Sequence, residues 1–450
     1  MSKLFFYSTN KNVSGKDAEE AILAGIAEDR GLFMPEKIPA LSPDEISAFS
    51  SLEYAAIAGI ILNKFLDGVV PKAELDRICR SAYDFPVPIQ QVEKRFSILW
   101  LDEGPTLAFK DFAARAMAGI MHYLLSRDKK RMCIITATSG DTGSAVGNAF
   151  HGMEGIDVII LYPKSGVTER QRKLMTTLGG NIICIAIDGS FDDCQALAKS
   201  AFTDKSQKSL NLGSANSINI ARLIPQIVYY AYACSRVGKV NFSVPCGNFG
   251  NLMGGLFAKR MGIPIGKFIA AVNANDSFAR FYDTSLYQKI FPSINCLSNA
   301  MNVGHPSNIA RLIDLYGGQM DEQGTIKAVP DMEMLRKEIW AMSVTDEQTR
   351  EEIRSIYERF GIVVEPHGAV ALYAYEQYLK EQQETAHGVC LETADPSKFP
   401  EAIRETIGLD PAVPKAMQES FKKKEFVQVL GKDYRGFQKY LMRWSHEPAE

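Results

Sequence analysis

The chain has 450 residues, enough for two or three domains and more than one buried core. Its 46% hydrophobic and 23% charged residues are ordinary for a soluble globular protein. Lys and Arg number 50 against 53 Asp and Glu; the resulting charge of −3 excludes the electrostatic footprint of a dedicated nucleic-acid binder. No apolar run approaches the ~18 residues of a membrane span. The N-terminal MSKLFFYSTNK has no small-residue cleavage pattern, so no signal peptide is expected.

Residues 1–94 read as mostly helical. Lys16 to Ala27 carries Ala18, Ile22 and Ile26 at helical spacing before GLFMPEKIP breaks the pattern. Ser42 to Leu62 and Pro71 to Tyr83 are further predicted helices, each opened by a cap or a proline. The Pro-rich FPVPIQ, Phe85 to Gln90, reads as a linker. After it the texture changes. Phe96 to Leu101 is a strand candidate, and Phe112, Ala116, Ile120 and Leu124 then mark one helix face. MCIITA, DVIILY, IICIAI, VNFSVP and KFIAAV follow as short strands, each succeeded by a loop and a helical pattern. Strands apolar on both faces and separated by helices imply a parallel sheet in an α/β fold. The tail after Pro400 is more charged and reads as a solvated helical extension.

The eight cysteines are scattered, with no C-x-x-C pair. They read as packing residues in a reducing compartment. The six histidines lack ligand spacing, so no metal site is expected.

Four segments carry chemistry. In GPTLAFKDFAARAM, Lys110 stands where an irregular stretch meets an amphipathic helix. A buried lysine with a lowered pKa is a nucleophilic amine suited to a Schiff base; the plain alternative is a surface lysine. TATSGDTGSAVG, Thr136 to Gly147, is a strand, glycine loop and helix, with Ser139, Thr142 and Ser144 as hydroxyl donors. Free backbone N–H groups and a helix N-terminus there suit an anion. SVPCGNFGNLMGG, Ser243 to Gly255, repeats that logic, and Gly247 and Gly250 let amides approach a phosphate. An ordinary βα turn is its alternative. SANSINIARLIPQ clusters Asn216, Ser217, Asn219 and Arg222. The first three suit helix caps, whereas the guanidinium suits bidentate phosphate contact.

Together these segments resemble the threonine synthase family, pyridoxal-phosphate enzymes of the tryptophan-synthase-β class. The resemblance covers nearly the whole chain. It runs from YSTN and EAILAGIAEDRGLFMPEKIP through GPTLAFKDFAARAM, TATSGDTGSAV, SANSINIARL, PCGNFGN and EPHGAV to LETADPSKFP, in the family's order. It implies a fold of two lobes with mostly parallel sheets flanked by helices (fold type II), plus a helical N-terminal domain. The implied organisation is an N-terminal domain at 1–94, a large cofactor-binding domain at 95–135 and 210–402, a small α/β domain at 136–209, and a C-terminal helical extension at 403–450.

The resemblance also implies residue roles. Lys110, next to Phe109, would carry pyridoxal 5'-phosphate. Gly247, Asn248, Phe249, Gly250 and Asn251 would cradle its phosphate, and the Thr393 hydroxyl would meet its ring nitrogen. Ser139, Gly140, Asp141 and Thr142 would line the substrate and the ring edge. Asn216, Ser217, Asn219 and Arg222 would hold the substrate phosphate, with Asn308 nearby. The implied reaction turns O-phosphohomoserine and water into L-threonine and phosphate by γ-elimination and β-hydration, the last step of threonine biosynthesis. A cytoplasmic monomer or homodimer is expected, with no nucleic-acid or membrane partner. Asp141 replaces an asparagine common elsewhere in this fold, and His305 stands where a more neutral residue is expected. His367 reads as a structural part of the EPHGAV turn. A serine/threonine dehydratase-like lyase would need no clamp for a substrate phosphate. A non-catalytic relative would be expected to lack Lys110 or part of the phosphate loop.

Overall fold

The computed structural model describes residues 3–444. Strands Phe5–Ser8 (β1), Lys16–Asp17 (β2) and Phe33–Pro35 (β3) form a small antiparallel sheet, order β2-β1-β3. Residues 1–94 are thus less uniformly helical than predicted. The strand partners lie far apart in sequence, so no local periodicity reveals the pairing. The first helix is confined to Ala18–Ala24. Asp17 caps it by accepting from the Glu20 amide, and Gly25, at φ 71°, ends it. The predicted helix from Ser42 to Leu62 is interrupted. Ser42 caps Pro43–Ala48, a 3₁₀ turn covers Phe49–Ser51, and a new helix runs Tyr54–Leu66 after the extended Leu52 and Glu53. The predicted helix from Pro71 to Tyr83 is present as Lys72–Ala82.

The chain then lays down Ile89–Glu93 (β4), Phe96–Trp100 (β5), Met132–Ala137 (β6), Ile156–Pro163 (β7), Ile182–Asp188 (β8), Leu212–Ser214 (β9), Val240–Pro245 (β10) and Ile265–Val272 (β11). Gln319–Met320 (β12) and Ile326–Ala328 (β13) make a two-stranded ribbon. Ile339–Ser343 (β14), Gly388–Glu392 (β15) and Val427–Gly431 (β16) complete the set. The predicted linker ends where Ile89 opens β4.

One sheet has six strands in the order β14-β11-β10-β15-β5-β4, parallel except for β4. The other has five, β16-β8-β7-β6-β9, all parallel. Strands β6 and β10 are buried along their whole length, as their two-faced apolar composition requires.

Two features of the predicted layout change. The expected boundary at residue 135 cuts β6, which lies wholly in the five-stranded sheet because it pairs with β7 on one edge and β9 on the other. The C-terminal extension is not only helical: β16 pairs in parallel with β8. Phe437 and Leu441, in the helix Tyr434–Trp444, are buried with Ile135, Ile159 and Ile185. Burial of such a side chain is worth roughly 1.5–3 kcal/mol, so the tail is held to this sheet by its own apolar contacts. The last six residues of the predicted extension lie outside the described residues. Among the described residues, no helix is long and apolar enough to cross a membrane.

Candidate active site

Lys110 opens the helix Lys110–Arg127. The loop before it is tied down from two sides. Buried Asp111 accepts from the backbone and hydroxyl of Thr106 at 2.9 and 2.6 Å. A Cβ on Gly104 would stand 2.4 Å from Asp111 Oδ2, so only glycine fits there. Phe109 N–H donates to the Thr393 carbonyl and Asp395 N–H to that of Leu107, at 2.9 and 3.1 Å. This stitching fixes the lysine against the end of β15. The Lys110 ammonium lies 4.5 Å from the centroid of the Phe109 ring. Burial lowers its pKa from the ordinary lysine value. Lys398 and Arg222 push the same way, against the opposing pull of Asp141.

The loop after β6 turns at Gly140, whose φ of 133° suits glycine. Thr138 Oγ1 accepts from the amides of Gly140 and Gly143. Asp141 begins the next helix, Asp141–Phe150. Its Oδ1 accepts from Lys398 Nζ at 2.9 Å and from Gln171 Nε2 at 3.0 Å, while its Oδ2 lies 3.7 Å from Lys110 Nζ. Burial alone would raise the Asp141 pKa; the positive charges of Lys398 and Lys110 prevail and hold it well below the carboxylate range.

β10 delivers the loop before the helix Gly250–Arg260, and Phe249 enters that helix left-handed at φ 60°. Gly247 packs so closely that a Cβ would meet the Ala300 carbonyl oxygen at 2.8 Å. The hydroxyls of Tyr229 and Tyr230 both donate to Asn251 Oδ1 at 2.6 Å. Asn251 Nδ2 is left buried without a protein acceptor. Asn248 reaches the Ser217 hydroxyl with Nδ2 and accepts the Ser307 amide on Oδ1.

Asn216 is welded to the end of β6, donating to the Ala137 carbonyl at 2.7 Å and accepting from the Ala137 amide at 3.2 Å. Arg222 is buried; its Nη1 donates to the Ala215 carbonyl, and its Nε has no protein acceptor. Burial pushes its pKa down to about 10, opposed by Asp111.

These segments surround a cavity of about 1390 Å³. Among the predicted site residues, Gly140, Asn219 and Asn308 do not line it; all the others do. Asn219 is spent on the frame. Its Nδ2 donates to the carbonyls of Ile22 and Ser214, and its Oδ1 caps the Ala221 amide. Asn308 binds the carbonyls of Asn248 and Ser217 from behind. Thr393 faces the cavity, its hydroxyl 3.3 Å from Glu365 Oε1. His305 and His367 also line it. His367 Nδ1 bonds Glu365, and its Nε2 accepts the Ala300 amide at 3.1 Å, which supports its predicted structural part. His305 pairs with the Tyr287 hydroxyl at 2.7 Å, and burial lowers its pKa.

Sequence reasoning missed Arg311, Gln171 and Lys398. Arg311 is fully buried and donates to the carbonyls of Phe33, Ser217 and Ile218 and to Asn308 Oδ1. A signal for it exists: the pentapeptide NIARL at Asn219 to Leu223 recurs at Asn308 to Leu312.

Among the described residues, two buried side-chain nitrogens have no protein acceptor, Asn251 Nδ2 and Arg222 Nε, and both belong to cavity-lining residues. With the helix N-terminus at Gly250 and a lysine of lowered pKa, they fit a phosphate-bearing aldehyde cofactor. A family model described as pyridoxal-phosphate dependent enzyme matches residues 90–393. Models for the threonine synthase N terminus and C-terminal region match residues 5–83 and 368–441. The chain belongs to the threonine synthase family. Threonine synthase of Buchnera aphidicola from Acyrthosiphon pisum is 40% identical over 407 residues, spanning 89% of this chain and 90% of its own. The crystal structure of Escherichia coli threonine synthase matches with a TM-score of 0.88 at 37% identity, covering 98% of this chain and 100% of that one. The pyridoxal-phosphate-bound threonine synthase of Brucella melitensis matches with a TM-score of 0.90 at 33% identity, covering 99% and 100%. The fold is therefore type II, and the family's chemistry is that of a pyridoxal-phosphate-dependent lyase.

Proposed function

We propose that the chain converts O-phosphohomoserine and water to L-threonine and phosphate. One observation carries this reading. The cavity is lined by two sets of groups suited to an anion, the Gly247–Asn251 loop with its free Asn251 donor and Arg222 with its free Nε. The cofactor has one phosphate. A second anion receptor suits a substrate that brings its own, which a serine or threonine dehydratase substrate does not.

When bound, pyridoxal phosphate supplies the electron sink for charge developing on the substrate. Lys110 would hold it covalently, the amides of Gly247 to Asn251 would hold its phosphate, and Thr393 would face its ring nitrogen. The residues then divide the work. A Lys110 amine of lowered pKa spends more time neutral, able to take the proton from Cα and return protons on the same face. Arg222, Asn216 and Ser217 would bind the substrate phosphate and stabilise its growing charge as the Cγ–O bond breaks. Ser139 and Thr142 offer hydroxyls beside Asp141 for the substrate's polar end and the incoming water. Eight free cysteines, seven of them buried, support a reducing, cytoplasmic setting.

The test assays O-phosphohomoserine and L-serine side by side with the loaded enzyme. Threonine and phosphate formed from the first, with little deamination of the second, is the expected result. Equal or faster turnover of serine overturns the reading.

A further inference from the structure

The turn Pro396–Lys398 brings a second lysine into the site. The Lys398 side chain is fully buried, an expensive place for an ammonium unless it is paired. The turn itself is rigidly placed. The Thr168 hydroxyl donates to the Lys398 carbonyl at 3.2 Å and Arg170 to the Ser397 carbonyl at 2.6 Å. Both donors lie at the start of the helix Glu169–Thr176, after the five-stranded sheet's β7. On the other side, Asp395 holds the lysine loop through the Leu107 carbonyl.

Asp141 divides its two oxygens unequally. Oδ1 is hydrogen-bonded to Lys398 and Gln171, whereas Oδ2 stands 3.7 Å from Lys110, beyond a hydrogen bond. Resting on the assignment of Lys110 as the cofactor-linking lysine, we propose that Lys398 is a positioning residue: it claims Asp141 as its own counter-ion and so leaves the Lys110 amine free to lose its proton.

The charged groups around the pair are few. Asp141, Lys398, Arg222 and Glu365 act on Lys110, His367 faces Asp141, and buried Asp111 interacts with Lys398 and Arg222. Neutralising Lys398 removes a repelling charge from Lys110 and leaves Asp141 with Lys110 as its remaining ion-pair partner. Both changes hold the proton on Lys110 to higher pH.

The experiment uses apo-protein and pyridoxal phosphate itself. The Lys110 amine condenses with the aldehyde, losing water; borohydride reduction and mass spectrometry then locate the adduct. The rate of capture against pH reads the neutral fraction of Lys110. Lys398→Arg keeps the charge, and its profile should superimpose on the parent's. Lys398→Gln keeps a donor for Asp141 without the charge, and its profile should move to higher pH. Capture at neutral pH should be about tenfold slower for each unit of displacement. A Lys398→Gln profile that coincides with the parent's, or a Lys398→Arg profile displaced equally far, overturns the proposal. Should Lys398→Gln not fold, the charge-free pair Asp141→Asn with Lys398→Gln carries the test. Its profile should stay close to the parent's, because the anion and the cation that claims it leave together; a clear displacement in either direction, and above all one to lower pH, which would mean that Asp141 still holds the Lys110 proton in the parent, overturns the proposal. A parent adduct found elsewhere than Lys110 defeats the functional reading instead.

Discussion

Arg311 donates from Nη2 to the carbonyl of Ile218 at 2.6 Å, joining two segments 93 residues apart in the chain. Its Nη1 takes the Ser217 carbonyl and the Asn308 side chain, and its Nε takes the Phe33 carbonyl. Burial pushes this guanidinium down to about 9, with Asp314 opposing. One side chain thus ties the N-terminal sheet, the Asn216 loop and the Asn308 helix into a single frame. Arg311→Met should leave those carbonyls unsatisfied and lower stability by roughly 3–5 kcal/mol. Lysine cannot reproduce the planar fork, so Arg311→Lys should recover only part of that. Urea unfolding measures both; a midpoint equal to the parent's for Arg311→Met would refute the role.

Lys110→Ala should abolish the visible absorbance of protein-linked cofactor together with threonine formation. The site is framed by Asp111, Thr106 and Thr393 rather than by the lysine itself, so the fold should survive. Gel filtration with a visible spectrum checks this, and a retained absorption band would contradict it.

Arg222→Ala should separate substrate from cofactor. Loss of a charged donor to developing phosphate charge costs about 10²–10³ in kcat/KM for O-phosphohomoserine. Cofactor retention after dialysis should change little, because the Gly247 to Asn251 loop is untouched. Parallel loss of both would show that Arg222 serves the cofactor phosphate.

Asp102 makes the fold sensitive to alkali. Burial raises its pKa to about 8, with Asp395, Glu103 and Glu365 adding to the rise. Its Oδ1 is buried without a donor. The folded chain therefore holds a proton that the unfolded chain gives up near pH 4. Stability from this group is fullest below that pH and falls as pH rises toward 8. Asp102→Asn should flatten that slope. Thermal melts across the range test it, and an unchanged slope would be the contrary result.

The parts of the fold legible in the sequence are those that depend on one segment alone. β6 and β10 announce themselves because both faces are apolar, and Lys110 because its helix begins at a Gly/Pro break. β16 does not, since VQVLG is largely exposed and becomes a strand only by pairing with β8. The same divide runs through the site. The glycine loops are visible locally, whereas Lys398 meets Asp141 across 257 residues. Asn219 and Asn308 read as ligand contacts because side-chain type suits both tasks. Only the carbonyls that surround them, those of Ile22, Ser214, Asn248 and Ser217, show that they are braces.

The pairing of β16 with β8 bears on how the chain is made. β8 is synthesised long before its outer neighbour, and until residues 427–431 leave the ribosome β8 itself forms an edge of its sheet. An open parallel edge is a template for pairing with another chain. Pairing with β16 moves that edge from the buried, apolar IICIAI of β8 to a short strand that is mostly exposed, so a chain lacking residues 427–431 would present the more apolar edge even though every cavity-lining residue precedes them.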